Sequence, residues 1–444
     1  MPERSYDLLV IGAGMAGLTA AARAATEGRS VCVVEVAAEV GGSARFAGYA
    51  WTAPDRAVMA QHNPKGDPIL RDALVDGFAG GIGWIRSVGV DVAEPQSILS
   101  FGQGHKFDTN HYVDTCKRVV LDSGGRLLLN TQTESLLTQA GDVLGARVTG
   151  EVGTVDIRAV STLLATGGFQ GNSDLLARYV HSDAGAMQVR SNLNSVGAGL
   201  RLAQHAGAAA GVDDAGFYGH LIPAGVAFAD SGDFVDLSLY YSEHALLFNT
   251  AGHRFVDETL GDHLTTMALL DQPESRGLLI ADERVHRDWM LASYVEGAVA
   301  VDKFALADKR GGRVGVAEDL SEFEYLPDDW GYDGPAIAEQ IADFNRRAGG
   351  QAEVIPGRAL DRQPLDEPPY YLIEAAPAIT FPFYGVRIDA QARVLDSDGV
   401  PIKGLLAAGS DTGGLWNRAY AGGLATALVF GLAAAETALA ASRS

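Results

Sequence analysis

An α/β fold with an inserted α+β domain is predicted from three features of the 444-residue chain. A strand, a glycine turn and a helix open it, the same pattern returns near its end, and a long middle stretch lacks that pattern. The opening is Asp7-Leu8-Leu9-Val10-Ile11-Gly12-Ala13-Gly14-Met15-Ala16-Gly17-Leu18, followed by an alanine-rich run to Ala25. An apolar strand that enters Gly-x-Gly-x-x-Gly and then a helix is the order a dinucleotide pyrophosphate requires. Gly12 permits the tight turn, Gly14 lets backbone approach the phosphates, and Gly17 lets helix and strand pack closely, so the helix start faces the anion. Val31-Cys32-Val33-Val34 reads as a second strand ending at Glu35, which is placed to accept from a ribose hydroxyl. The opening is therefore expected to be Rossmann-like.

Length suggests about two to four domains and a large buried core. Lys and Arg total 34 against 56 Asp and Glu, a formal charge of -22, which argues against nucleic acid or an anionic membrane as partner. The two cysteines, Cys32 in the second strand and Cys116 in an expected helix, give no disulfide framework and no metal spacing. A reducing compartment follows, and a cytoplasmic location is expected. Asp7 interrupts any signal-peptide pattern. The longest uncharged stretch, Ala421 to Ala435, is too short to span a bilayer and is expected to be a buried helix, so no integral membrane segment is expected.

After Glu35 comes Gly41-Gly42-Ser43, a second glycine turn able to pass beside a cofactor. Asp72 to Val88 carries Leu74, Phe78, Ile82 and Ile85 at helical spacing despite Gly80-Gly81. Arg126 to Thr138 and Val143 to Ile157 suggest a small antiparallel layer over the parallel sheet. Thr162-Leu163-Leu164-Ala165-Thr166-Gly167-Gly168-Phe169 reads as a buried strand ending in another turn, and Asn194 to Gly211 as a helix. Three divisions follow: residues 1–216 and 380–444 as two parts of one domain, and 217–379 as an inserted cap. The cap contains one clear helix, with Pro335 at its first position, Ile337, Ile341 and Phe344 on one face, and Gly349-Gly350 as its stop. Near the end, Val386 to Asp389 and Gly404 to Asp411 read as strands. Asp411 is placed to accept from ribityl hydroxyls, and Gly422-Gly423 opens the terminal helix with its positive dipole end.

Together these motifs resemble the fumarate reductase and 3-ketosteroid dehydrogenase superfamily of FAD flavoproteins over nearly the whole chain. The resemblance is carried by Gly12 to Gly17, Glu35, Gly41-Gly42-Ser43, Ala165 to Phe169, Gly252-His253-Arg254-Phe255-Val256-Asp257-Glu258, Pro368-Pro369-Tyr370-Tyr371 and Ala407 to Gly414. It implies a glutathione-reductase-type FAD-binding domain built from the outer segments, with the cap closing over the isoalloxazine. Gly12, Gly14, Ala16, Gly17, Glu35, Gly42, Ser43, Thr166, Gly167, Gly168, Asp411, Gly423 and Leu424 then serve the cofactor. Binding is expected to be non-covalent, because Gly41 to Gly48 contains no His.

The substrate-side positions depart from the fumarate reductases. Their proton-donating Arg, four residues beyond the Glu of the Arg-Phe-x-Asn-Glu motif, is absent, since Glu258 is followed by Thr259-Leu260-Gly261-Asp262-His263. Their carboxylate-holding His and Arg have Thr380 and Tyr420 as approximate counterparts, and His220 is a loose match to a remaining family His. Tyr420-Ala421-Gly422 is similar instead to the Tyr-Ala-Gly of 3-ketosteroid 1-dehydrogenases, which implies a ketone polarised by the Tyr420 hydroxyl and a backbone amide at Leu424. The reaction so implied removes two hydrogens beside a cyclic ketone, a 3-ketosteroid or a smaller oxo-cyclohexane, with His263 or Asp262 as base. Tyr240, Tyr241 and Tyr384 are candidate pocket hydroxyls, Trp416 a candidate substrate platform, and Arg418 a candidate partner for a substrate carboxylate. The reverse reaction, reduction of an activated alkene, is the alternative, and a non-catalytic flavin-bearing subunit a third reading. No haem-attachment or cluster-ligand run is present, so electrons leave through oxygen, a quinone or another protein.

Overall fold

The strand Ser5–Ile11 lies at the heart of an eight-stranded sheet, six of whose strands follow the order Arg393–Leu395, Pro401–Ala407, Gly153–Leu164, Ser5–Ile11, Val31–Val34 and Arg126–Leu128. The computed structural model describes residues 5–98, 101–151, 153–211, 214–228, 232–292, 300–350 and 353–442. Leu8, Leu9 and Val10 are fully buried, as a strand covered on both faces of a parallel sheet requires. The helix Met15–Thr26 is buried over nearly its whole circumference, which its alanines allow by letting neighbours approach from every side.

The chain forms two compact units: Met1–Gly185, Ser191–Phe217 and Phe381–Ser444 in the first, and Ala186–Arg190 and Tyr218–Thr380 in the second. The antiparallel segments of the first unit are not a separate layer. Arg126–Leu128 joins the main sheet parallel to Val31–Val34, whereas Gln132–Gln139 and Asp142–Gly150 form a hairpin leading into Gly153–Leu164. That last strand is 12 residues long. Its first half pairs antiparallel with the hairpin, and its second half pairs parallel with Ser5–Ile11 and Pro401–Ala407.

Two helices differ in extent from the sequence expectation. Asp67 caps Pro68–Ser87, whose Gly81 leaves no room for a methyl because Leu428 Cδ2 would lie 2.7 Å from it. Within Asn194 to Gly211 only Ala198–His205 is helical, entered through left-handed Gly197. The uncharged stretch from Ala421 belongs to the helix Gly423–Ala441, which continues through Glu436. It is the one helix among the described residues long and apolar enough to cross a membrane, so the length argument against a span does not hold for it. Burial covers 61% of its apolar window, against Met15–Thr26 and Pro68–Ser87, as a core helix requires.

In the second unit, Tyr370–Pro382 is the spine of a six-stranded sheet that includes Gln188–Val189, Phe217–Pro223, Leu246–Phe248, Gly277–Ala281 and Val314–Ala317. Period-two alternation divides its side chains. Leu246, Phe248, Leu278, Ile280 and Leu372 pack with Ile337, Ile341 and Phe344 of the helix Gly334–Ala348. Leu247, Leu279 and Ile373 face the other way, into a core with Leu269 and Tyr241.

Candidate active site

The first glycine turn is fixed by sterics. Gly12 has φ +104°, and a Cβ there would stand 2.2 Å from Ala165 O; one at Gly17 would stand 2.0 Å from Gly12 O. Gly14, by contrast, would meet nothing closer than 3.9 Å. The helix Met15–Thr26 starts on Gly14 with no side-chain cap and no acidic residue in its first turn, so its leading amides suit an anion. These features fit the pyrophosphate of a bound FAD. Gly12→Ala is expected to yield protein lacking flavin or failing to fold, because both the φ and the contact forbid a side chain; flavin absorbance and a thermal melt check it.

Glu35 accepts from the amides of Ala13 at 2.7 Å and Ala37 at 2.9 Å, so it locks the turn whose shape the cofactor needs. Gly41 donates its amide to Ala13 O at 2.8 Å, and the Gly42 turn follows with Ser43 Oγ 2.7 Å from Ser191 Oγ. Ala16 is buried, and a methyl on Gly431 would stand 2.7 Å from its carbonyl, so it serves helix packing. Asp411 is placed differently from expectation. Its carboxylate accepts from Thr166 N at 2.5 Å, Thr166 Oγ1 at 2.9 Å and Gly168 N at 2.9 Å. Being 2% exposed and so engaged, it holds the Thr166-Gly167-Gly168 turn instead of presenting itself to ribityl hydroxyls. Burial raises its carboxyl above the ordinary value, and the three donors oppose that rise.

The terminal helix begins at Gly423, whose amide donates to Tyr420 Oη at 2.9 Å. Leu424 follows, its amide among the first-turn donors without an intrahelical acceptor. The Tyr420 ring meets Trp51 edge-on at 5.3 Å and Phe381 at 6.0 Å. Trp416, 6.1 Å from the same ring, is buried and so acts as packing, not as a substrate platform. Tyr384, half-buried, stacks on Tyr179 at 4.1 Å. Arg418 forms a surface ion pair with Asp214 at 2.5 Å.

In the second unit the structure brings together two residues 42 positions apart in sequence. His220 Nδ1 hydrogen-bonds Asp262 Oδ2. Both residues are buried, and His220 Nε2 is a buried nitrogen with no hydrogen-bond partner. Asp262 is the first residue of the helix Asp262–Leu270, and the Gly252 to Glu258 motif leads into it. Glu258 accepts from Arg254 at 2.6 Å, Arg358 at 3.1 Å and Leu247 N at 3.0 Å, while Asp257 caps the next turn through Thr259 N at 2.9 Å. Burial lowers the His220 imidazole below its ordinary value; Asp262 opposes that shift and Arg190 reinforces it. His263 lies on the same helix with its ring 5.6 Å from Tyr218. Tyr241 is 1% exposed in the hydrophobic core, so it is not a pocket hydroxyl.

Sequence reasoning missed two cations beside this pair. Arg190 Nη2 donates to Tyr240 Oη at 3.2 Å, and the Tyr240 ring lies 5.3 Å from that of His220. Lys303 Nζ sits 5.5 Å from the Tyr240 ring centre and donates to Val235 O and Asp236 O; burial brings its ammonium down to about 8.

Comparison with known proteins agrees with this architecture. The chain is 27% identical to a fumarate reductase (cytochrome) of Shewanella frigidimarina, across 98% of this chain and 77% of that one. It is 25% identical to the 4-oxocyclohex-2-ene-1-carboxylate 5-dehydrogenase of Sinomonas cyclohexanicum, across 96% and 92%. The solved 3-ketosteroid delta1-dehydrogenase of Sterolibacterium denitrificans shares the fold with a TM-score of 0.79 at 18% identity, covering 99% of this chain and 100% of that one. Since the family model described as FAD binding domain matches residues 7–74 and 91–425, the chain belongs to that family and is an FAD-dependent oxidoreductase.

Proposed function

We propose that this oxidoreductase desaturates the carbon–carbon bond next to the carbonyl of a cyclic ketone, a 3-ketosteroid or a smaller oxo-cyclohexane. The observation that carries this reading is the His220–Asp262 pair: a buried imidazole oriented at Nδ1 by a carboxylate, with Nε2 lacking a partner. Such an imidazole suits proton removal from a weak carbon acid, because it stays neutral near pH 7 and its tautomer is fixed. The base is therefore assigned to His220, with Asp262 orienting it. The Sinomonas relative, whose name describes dehydrogenation of an oxocyclohexene carboxylate, supports the same reaction class.

In this reading Tyr420 donates to the ketone oxygen as negative charge grows there. The bond it accepts from Gly423 polarises the phenol and strengthens that donation. Leu424 N supplies a second donor. His220 Nε2 takes the alpha proton. Bound FAD supplies the acceptor for the beta hydrogen and its electron pair, so ketone and oxidised cofactor become enone and reduced cofactor. The first unit is assigned to holding FAD and the second to substrate and base. Electrons pass on to oxygen, a quinone or another protein. A cytoplasmic setting suits the two cysteines, both free and buried.

The likeness to a fumarate reductase favours a second reading, alkene reduction by the same groups run in reverse. Fumarate itself is expected to fail. Thr380 and Tyr420 are the approximate sequence counterparts of that family's carboxylate-holding His and Arg. Stopped-flow reoxidation of the dithionite-reduced enzyme checks this: fumarate leaves the flavin reduced, whereas rapid return of its yellow colour contradicts the loss of the clamps.

A further inference from the structure

We propose that Arg190 anchors a carboxylate on the substrate, which makes the physiological ligand a ring bearing both an oxo group and an acid. This deepens the reading above and rests on His220 and its neighbours forming a substrate site. Arg190 follows the strand Gln188–Val189, whose register against Ala378 and Ile379, extended by the bond from Arg190 N to Ile379 O at 2.8 Å, fixes it beside Thr380.

The guanidinium is half-buried, yet all its partners among the described residues are neutral oxygens. Nε donates to Phe234 O at 2.7 Å and Ser238 Oγ at 3.1 Å, Nη1 to Thr380 Oγ1 at 3.4 Å, and Nη2 to Tyr240 Oη at 3.2 Å. Other arginines of the same unit meet carboxylates. Arg254 and Arg358 share Glu258, Arg310 meets Asp233 at 2.7 Å, and Arg276 and Arg313 meet Glu374. Arg190 thus stands out as a cation held in place by neutral groups, an arrangement whose desolvation an anionic ligand would offset.

Donor arithmetic gives the ligand's shape. Guanidinium has five N–H groups, one on Nε and two on each terminal nitrogen. One on Nη1 and one on Nη2 are engaged, which leaves a proton on each for the two oxygens of a carboxylate. The unpartnered, buried Nε2 of His220 is an independent sign that a ligand belongs here, because a native interior rarely leaves such a nitrogen unbonded. The Lys303 ammonium near Tyr240 adds positive potential.

Calorimetric titration of the FAD-loaded protein with cyclohexanecarboxylate and with its methyl ester tests the assignment, since neither ligand has a ketone to oxidise. The wild type is expected to prefer the carboxylate, and Arg190→Gln to weaken carboxylate binding by about 30-fold or more while changing ester binding by less than about twofold. Arg190→Lys should restore part of the loss, because lysine keeps the charge without the fork. Equal loss for both ligands, or no loss for the acid, overturns the proposal. If Arg190→Gln does not fold, the wild-type comparison decides, and a preference for the ester overturns the proposal. Carboxylate binding that depends on Arg190, in an enzyme whose flavin no ketone reduces, would leave this site standing and remove the dehydrogenase reading.

Discussion

His220→Ala is expected to slow ketone-dependent flavin reduction by about 100- to 10,000-fold, the usual contribution of a positioned general base. FAD content should remain that of the wild type, because His220 belongs to the second unit and the glycine turns to the first. The pH profile gives a second check. A base must be neutral to accept a proton, and burial places His220 below the ordinary imidazole value of 6.5. The acidic limb of kcat/KM is therefore expected below pH 6.5, with activity rising as pH increases through it. Asp262→Asn removes the group that raises the imidazole's affinity for protons, so the limb should move to still lower pH while the maximal rate falls. An unmoved limb in that variant would show that the titrating group is not His220. His263→Ala should leave the limb in place.

Tyr420→Phe is expected to lower the rate of flavin reduction by about 100- to 1,000-fold, the effect of removing one donor aimed at a developing oxyanion. The substitution keeps the ring and its contacts with Trp51 and Phe381, so the aromatic cluster should persist. It also deprives Gly423 N of its acceptor, at a helix end where solvent and the amide's own position soften the cost. Rapid-reaction measurements of bleaching, alongside the bound flavin absorbance, separate the two effects. Full turnover with intact flavin would remove Tyr420 from the chemistry.

The cofactor half of the molecule was legible in the sequence because its requirements are local. Gly12 must adopt a positive φ, Gly17 must touch Gly12 O, and the buried stretch Leu8 to Ile11 needs an unbroken apolar run. What Glu35 and Asp411 do was less legible. Their type and position are as expected, but their partners are backbone amides and, for Asp411, also the Thr166 hydroxyl, in Asp411's case more than 240 residues away, and no local pattern reports such pairings. The same reason explains the substrate side. His220 and Asp262 were each recognisable as titratable groups, and only the tertiary fold makes them one unit. Arg190 and Lys303 carry no periodic signal, since an isolated cation reads as surface until its burial is known. Tyr241 and Trp416 show the converse, because an aromatic residue has one appearance in sequence whether it fills a core or lines a cavity.

Anaerobic mixing of the oxidised enzyme with a panel of saturated cyclic ketones is the most direct test, with flavin absorbance followed in time and the organic product identified by mass. The panel should include cyclohexanone, 4-oxocyclohexanecarboxylate and a 3-ketosteroid. At least one member is expected to bleach the flavin and appear as a product two mass units lighter. A flavin that stays yellow with every ketone, yet in its reduced form is rapidly reoxidised by the corresponding enones, would contradict desaturation and leave alkene reduction in its place.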